Sequence, residues 1–332
     1  MDILQLNDIT IQYGQKVILE DFNLCINKSD LMVILGPSGC GKSTLLYAIA
    51  GLLRPSKGEV VFNGRPLFSS RSNRNIPAEK RQIGFVFQDY SLWPHMNVFD
   101  NIAYPLKIRK QRKQEIYDRV SGLLEKVNLS TKERAFPSEL SGGEKQRVAI
   151  ARAIAVDPAL LLMDEPLANI DAALKTQLLS LISQIKKDLK IPMIYVTHDQ
   201  KEAFEIASRM VIMEEGKIIQ EGCPLNIYRF PANEFVASFV GDNNLIEGWR
   251  LLRHECPCDP NDLLVIRPED MHISDKGNYT GRIQKVLYKG SYYSIHVKLK
   301  NACVIINVTS DQYKPGDLIR FDIQRMHSLH NR

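Results

Sequence analysis

A chain of 332 residues has room for two buried cores, and 43 Lys and Arg against 38 Asp and Glu leave a net charge of +5. That mild excess does not call for a nucleic-acid partner, although it permits an anionic ligand or a membrane-side location. Hydrophobic residues at 44% and charged residues at 24% exclude collagen, coiled coil and disorder as whole-chain descriptions. No apolar run approaches the roughly 18 residues that cross a bilayer. The start, Met1-Asp2-Ile3-Leu4-Gln5, lacks the basic flank and apolar core of a secretory signal, so the chain is expected to stay in the cytosol. Six cysteines at this length do not make a disulfide scaffold. Cys256-Pro257-Cys258 reads as two loop thiols, because no second Cys/His pair stands nearby at zinc-site spacing.

In chain order, residues 31–35 form a short apolar run that ends in a Gly-rich loop, and Leu45, Leu46, Ile49 and Leu53 then recur at helical spacing. Residues 84–87 read as a strand. The basic stretch Lys107, Arg109, Lys110, Arg112, Lys113 reads as the solvated entry to a helix over 111–127, marked by Ile116, Val120, Leu123, Leu124 and Val127. Residues 160–163 are a buried strand, and Leu174, Leu178, Leu181, Ile182, Ile185 and Leu189 mark a further helix. A strand at 194–196 precedes a helix from about Gln200, and 211–220 reads as a hairpin around Glu215-Gly216. This alternation predicts an α/β domain with a mostly parallel sheet. The character changes at Gly241-Asp242-Asn243-Asn244. Beyond it Tyr293, Ile295, Val297 and Leu299, and later Ile319, Phe321 and Ile323, alternate with polar residues, which predicts a small all-β domain.

Three constellations carry chemistry. Gly36-Pro37-Ser38-Gly39-Cys40-Gly41-Lys42-Ser43, with Thr44 next, fits G-x-x-x-x-G-K-[ST] between a strand and a helix. Its backbone N–H groups and the helix N-terminus suit phosphate, Lys42 supplies a charge for the β- and γ-phosphates, and the Ser43 hydroxyl can ligate Mg²⁺. Asp164-Glu165 closes the strand at 160–163; Asp164 can hold Mg²⁺ and Glu165 suits a general base for hydrolysis. In Leu140-Ser141-Gly142-Gly143-Glu144-Lys145-Gln146-Arg147, Ser141 can cap a helix whose N-terminus stays open to phosphate.

With the third constellation standing between the other two, the chain resembles the ATP-binding cassette (ABC) ATPases over about residues 1–240. The resemblance implies a P-loop NTPase fold with a helical subdomain at about 89–158, ATP and Mg²⁺ as ligands, and further site residues. Tyr13 matches the aromatic that stacks on adenine. Gln88 matches the glutamine that senses Mg²⁺ and the attacking water, so the implied Mg²⁺ set is Ser43, Gln88 and Asp164. His198 matches the switch histidine at the γ-phosphate, joining Glu165 and Gln88 as catalytic residues. Ser141, Gly142, Gly143, Glu144 and Asp171 would act in trans across a head-to-tail homodimer. The sequence departs from the pattern at Glu144, where Gln is commoner, and at Ala168-Asn169-Ile170-Asp171, where Ser-Ala-Leu-Asp is typical; Glu144 would make the γ-phosphate surroundings more acidic.

Asp89-Tyr90-Ser91-Leu92-Trp93-Pro94-His95-Met96 resembles the segment that importer ATPases place beside their permease, with Tyr90, Leu92, Trp93 and His95 as implied contacts. Residues 231–241 resemble the end of the nucleotide domain in that group, and Ile266-Arg267-Pro268-Glu269-Asp270 its regulatory β-domain of oligonucleotide/oligosaccharide-binding (OB) type, here 241–332. The implied function is the ATPase of a bacterial importer on the cytoplasmic face of the inner membrane, working with permease subunits and, indirectly, a periplasmic or lipoprotein solute receptor. The 89–105 and 231–246 segments lean toward ferric iron, with polyamine close behind. Molybdate, sulfate or sugar import is the alternative, and a soluble non-transport ABC ATPase a further one. Tyr288, Tyr292 and Tyr293 beside lysines could stack on bases, but the importer context makes regulation or dimer contact the expected role and no nucleic acid is expected.

Overall fold

Along residues 2–13, Leu4, Leu6, Ile9 and Ile11 are buried while Asp2, Asn7, Asp8, Gln12 and Tyr13 are exposed, the alternation of a half-buried strand. The computed structural model describes residues 2–168, 170–247 and 262–329. The Cys256-Pro257-Cys258 loop lies outside the described residues. The chain divides into two compact units, Met1–Pro224 and Leu225–Arg332.

The first unit contains strands β1 (Asp2–Tyr13), β2 (Lys16–Asn27) and β3 (Leu31–Leu35), helix α1 (Lys42–Ala50), then β4 (Lys57–Phe62), β5 (Arg65–Ser69), β6 (Arg74–Asn75) and β7 (Ile83–Val86). Helices α2 (Val98–Ile108), α3 (Lys113–Lys126) and α4 (Gly142–Ile154) follow. Strand β8 (Leu160–Asp164), helix α5 (Ala172–Leu189), β9 (Met193–Thr197), α6 (Gln200–Ile206), β10 (Arg209–Glu214) and β11 (Lys217–Gly222) complete it. An antiparallel sheet runs β2-β1-β4-β5-β6, and a second runs β11-β10-β3-β9-β8-β7 with β10 to β7 all parallel. Every residue of β3, β8 and β9 is buried, as continuous apolar strands covered on both faces must be. One core joins the two sheets and α1 through Leu6, Ile9, Ile34, Leu46, Ile49 and Val196.

One helix differs from the sequence expectation for a local reason. Helix α1 stops at Ala50 rather than running to Leu53, because Gly51 turns left-handed (φ 83). There the buried Arg81 guanidinium takes the carbonyls of Ala48 and Ile49 at 2.9 and 2.8 Å. The basic stretch is exposed at all five positions, as expected, and within it Lys107 pairs with Asp100 at 2.6 Å and Arg109 donates to the Val156 carbonyl at 2.9 Å. The hairpin β10–β11 turns at Glu215 and Gly216, both at positive φ (46 and 78), the pairing that a tight antiparallel turn favours.

The second unit holds α7 (Pro224–Arg229, entered from Pro224), α8 (Glu234–Phe239) and strands β12 (Asn244–Glu247), β13 (Leu263–Ile266), β14 (Met271–Ile273), β15 (Tyr279–Tyr288), β16 (Tyr293–Lys298), β17 (Cys303–Val308), β18 (Leu318–Ile323) and β19 (His327–Leu329). Two antiparallel sheets, β12-β13-β19 and β14-β18-β15-β16-β17, make a nearly closed, barrel-like β-domain. The buried Asn244 side chain ties them. Its amide donates to the Ile266 and Ile305 carbonyls at 3.3 and 2.9 Å, and its oxygen accepts the Ile305 N–H at 2.6 Å. Arg267, also buried, donates to the carbonyls of Tyr228, Ala237, Gly241 and Asp242 and lies 4.0 Å from the Tyr228 ring centre. The helices at 224–239 and the turn at 241–242 are thereby built into the second unit.

Candidate nucleotide site

The loop after β3 needs glycine twice for steric reasons. A Cβ on Gly36 would lie 2.4 Å from the Met213 carbonyl oxygen, and Gly41 caps α1 at φ 102. No side chain caps α1 and its first turn carries no acid, so its positive end stays available to an anion. Lys42 is almost fully buried. Its Nζ folds back to donate to the Gly36 and Pro37 carbonyls, both at 2.8 Å. Cys40 packs beneath, and burial pushes its thiol above the usual range.

Ser43 Oγ donates to Asp164 Oδ1 at 2.7 Å, joining α1 to the end of β8. Burial pushes the Asp164 carboxyl up, while hydrogen bonds from Ser43 and Tyr47 pull it the other way. Tyr47 answers in kind: burial and the neighbouring Asp164 push its phenol up to about 12. The next residue, Glu165, is held left-handed at φ 41, a conformation that a non-glycine residue adopts only when its surroundings fix it. Its N–H bonds the Val196 carbonyl at 3.0 Å and its Oε2 lies 2.9 Å from His198 Nδ1. A carboxylate can only accept, so this contact places a proton on Nδ1. Behind His198, buried Glu202 accepts from Tyr195, Thr197 and Lys175, each at 2.8 Å, and Lys175 also reaches Asp199 at 3.0 Å.

The sheet explains this gathering. Lys42 and Ser43 follow β3, His198 follows β9, Asp164 and Glu165 end β8, and exposed Gln88 follows β7. These are four adjacent parallel strands, and a ligand crevice in such a sheet forms at their carboxyl ends. Tyr13 lies at the end of β1 with 52% of its surface exposed, and it is among the groups that push the Tyr47 phenol up.

Ser141 caps α4, accepting the Glu144 N–H at 3.3 Å, while Glu144 accepts the Ser141 N–H at 2.8 Å. That backbone hydrogen bond holds the Glu144 carboxyl below its ordinary range, and Lys132 at 3.6 Å offsets its charge. The C-terminal end of α4 lies against β7, where a Cβ on Gly84 would come within 2.6 Å of the Ala153 carbonyl. Strand β7 is three places from β3 in the sheet, and Ser141 is twelve residues back from Ala153, about 18 Å along the helix. Gly143 instead meets Leu174, 3.2 Å from a Cβ built there, and Asp171 caps α5 by accepting the Leu174 N–H at 3.1 Å. Ser141, Gly143 and Asp171 thus belong to neighbouring helix starts.

A groove beside β7 is lined by Phe85, Phe87, Ser91, Trp93, Pro105 and Val156. Of the residues expected at a permease, Trp93 lines it; Leu92 is half-buried and His95 exposed, and neither is among the lining residues. The Trp93 ring lies 4.3 Å from that of Tyr104. Sequence reading missed the side chains that shape this wall. Fully buried Asn101 accepts the Trp93 N–H at 2.9 Å and donates to the carbonyls of Trp93, Met96 and Asn97. Arg152, from α4, donates to the carbonyls of Tyr90 and Ser91. Both bind backbone rather than a typed partner, so no motif marks them.

A phosphate loop, a Ser–Asp contact beneath it and a Glu–His pair at one sheet edge define a nucleoside-triphosphatase of the P-loop kind. The chain belongs to the ABC transporter family, whose pattern matches residues 19–168, and a TOBE domain matches residues 264–329. It is 38% identical over 324 residues to the spermidine/putrescine import ATP-binding protein PotA of Desulfitobacterium hafniense (strain Y51), covering 93% of this chain and 91% of that protein. Among solved structures it is similar to cbiO1 from Clostridium perfringens, part of the ABC transporter complex cbiONQ, with 30% identity and a TM-score of 0.63 over 68% of this chain and 90% of that one. It is also similar to the ATP-binding cassette MJ0796 in a dimeric post-hydrolysis state bound to ADP and Pi, with 29% identity and a TM-score of 0.59 over 67% of this chain and 98% of that one. The protein is therefore an ABC ATPase with a C-terminal OB-like domain, and membership implies nucleotide binding, dimerisation and permease partners. Among the described residues no helix is long and apolar enough to cross a membrane.

Proposed function

We propose that the chain hydrolyses ATP as the motor subunit of a bacterial importer on the cytoplasmic face of the inner membrane. The supporting observation is the placement of Glu165 and His198 2.9 Å apart beside the Ser43–Asp164 contact. The loop from Gly36 to Thr44 cradles the phosphates, and Lys42 leaves the loop carbonyls for the β- and γ-oxygens. Tyr13 stacks on adenine. Ser43, Asp164 and Gln88 would hold Mg²⁺: a hydroxyl and a carboxylate 2.7 Å apart are the hard oxygen donors this ion takes. When bound, the ion neutralises charge on the phosphate oxygens. Glu165 takes the proton of the water that attacks the γ-phosphorus, giving ADP and phosphate. His198, with its Nδ1 proton on Glu165, holds that carboxylate in place and turns Nε2 toward the γ-phosphate.

Ser141, Gly142, Gly143 and Glu144, with Asp171, complete the site of a second copy in a head-to-tail homodimer. The grouping of the Ser141 and Asp171 helix starts, at the end of α4 opposite the one that packs on β7, supports this arrangement. The γ-phosphate charge then draws two helix N-termini together, and hydrolysis removes the bridge. The closed pair binds ATP better than the open pair, which is the differential affinity a conformational drive requires.

The groove lined by Trp93 receives a cytoplasmic helix of the permease, with Tyr90, Leu92 and His95 around it. Trp93→Ala is expected to lower transport at least about tenfold while the ATPase rate of the isolated chain stays within about twofold. Reconstitution with the permease measures both, and parallel loss of the two rates removes the groove reading.

The solute is a polyamine, received from a periplasmic or lipoprotein receptor. The 38% identity to a spermidine/putrescine import protein over nearly the whole chain supports polyamine over ferric iron. Deletion of the gene is expected to abolish uptake of labelled spermidine or putrescine and to leave ferric-iron uptake unchanged; the opposite pattern would reverse the choice. The OB-like domain serves regulation or dimer contact.

A further inference from the structure

We propose that Arg152 is a positioning residue that transmits the state of the signature loop to the permease-facing wall. The inference rests on the reading of the Trp93 groove as the permease seat. Helix α4 starts at the Ser141 cap, where the partner's nucleotide would bind, and ends at Ile154. Arg152 lies in its last turn, about 16 Å along the axis from that cap. Its guanidinium donates to the Ser91 carbonyl at 2.6 Å and the Tyr90 carbonyl at 2.8 Å, and its carbon sits 4.9 Å from the Trp93 ring centre. Three successive features of one wall are therefore held by one side chain of one helix.

The wall itself is not a relaxed loop. Tyr90 and Ser91 are consecutive non-glycine residues in the left-handed region, at φ 64 and 45. Such a pair persists only where its surroundings over-determine it. Arg152 provides that constraint, because a planar fork of donors can hold two carbonyls while its face lies on an aromatic ring. Asn101 fixes the far side of the segment, holding the Trp93, Met96 and Asn97 backbone to α2. Residues 90–93 thus span two helices, pinned to α2 by Asn101 and to α4 by Arg152. Displacement of α4 relative to α2, as its N-terminus takes up a partner's γ-phosphate, would reshape the segment. Burial pushes the guanidinium down to about 10, with Asp89 the charged neighbour opposing that shift, so Arg152 stays cationic at neutral pH.

Tests use the full chain with Trp249→Phe, which leaves Trp93 as the only tryptophan of the two in the sequence. With native Arg152, ATP is expected to shift Trp93 emission. Arg152→Gln is expected to abolish that shift, to lower transport in permease proteoliposomes at least about tenfold, and to hold the isolated ATPase rate within about twofold. Arg152→Lys restores only part of both, since one ammonium cannot hold both carbonyls and the ring. An ATP-dependent shift that survives Arg152→Gln overturns the proposal, as does a fall of the isolated ATPase rate in parallel with transport. Trp93→Ala separates the two readings: if it loses transport while Arg152→Gln keeps it, the groove stands and the strut fails. If both variants keep transport, the groove reading fails and the inference with it.

Discussion

Glu165→Gln is expected to cut ATP turnover by about 10²–10⁴-fold, the range over which a positioned general base acts, while ATP binding is kept. The substitution preserves the side chain's shape and its reach to His198, 2.9 Å away, but an amide has no basic oxygen to take a water proton. The left-handed backbone at φ 41 and the N–H to the Val196 carbonyl are indifferent to the change, so the fold is kept. With hydrolysis blocked, the charge that bridges two protomers persists and a nucleotide-bound dimer accumulates. Size-exclusion chromatography with ATP reads the dimer, and phosphate release reads the turnover. A variant that hydrolyses at the native rate removes Glu165 from the role of base. Dimer formation without nucleotide would detach dimerisation from the phosphate charge.

What could be read before the fold was the chemistry whose residue types must be contiguous. The loop from Gly36 to Ser43, the acids at Asp164 and Glu165, and the Ser141 cap each stand within a few positions, because one strand end or one helix start presents them. The buried strands at 31–35 and 160–163 were legible for the same reason: a run covered on both faces is apolar at every position. The antiparallel sheet of β1 and β2 was not read. Its alternation is broken where Asp8 and Asp21 turn left-handed (φ 51 and 44) and the register between the strands shifts. Helix α2 was not legible because Pro105 lies inside it and its end merges into the basic run that reads as the entry to the next helix. Asn101 and Arg152 were invisible for a third reason. Their hydrogen-bond partners are backbone groups, up to 62 residues away for Arg152, and a backbone group leaves no residue type in the sequence.

Lys42→Ala is expected to weaken ATP binding itself by about 10–100-fold, because hydrogen bonds from an ionised donor are worth roughly 1.5–3 kcal/mol. The Nζ position sets the form of the test. The ammonium donates to the Gly36 and Pro37 carbonyls at 2.8 Å, so phosphate oxygens would compete with those two carbonyls for it. The substitution therefore acts on both states. It leaves two loop carbonyls without their donor, which lowers the melting temperature of the empty protein, and it removes the charge that phosphate would meet. Nucleotide titration separates these effects, since the rise in melting temperature with ATP depends on occupancy of the folded state alone. The native chain should show a rise that grows with ATP concentration, and Lys42→Ala should need about 10–100 times more ATP for the same rise. Lys42→Arg should not restore it, because a planar fork cannot fold back onto carbonyls five and six residues upstream as a single ammonium does. An unchanged ATP titration with only the rate lost would move Lys42 from binding to the chemical step.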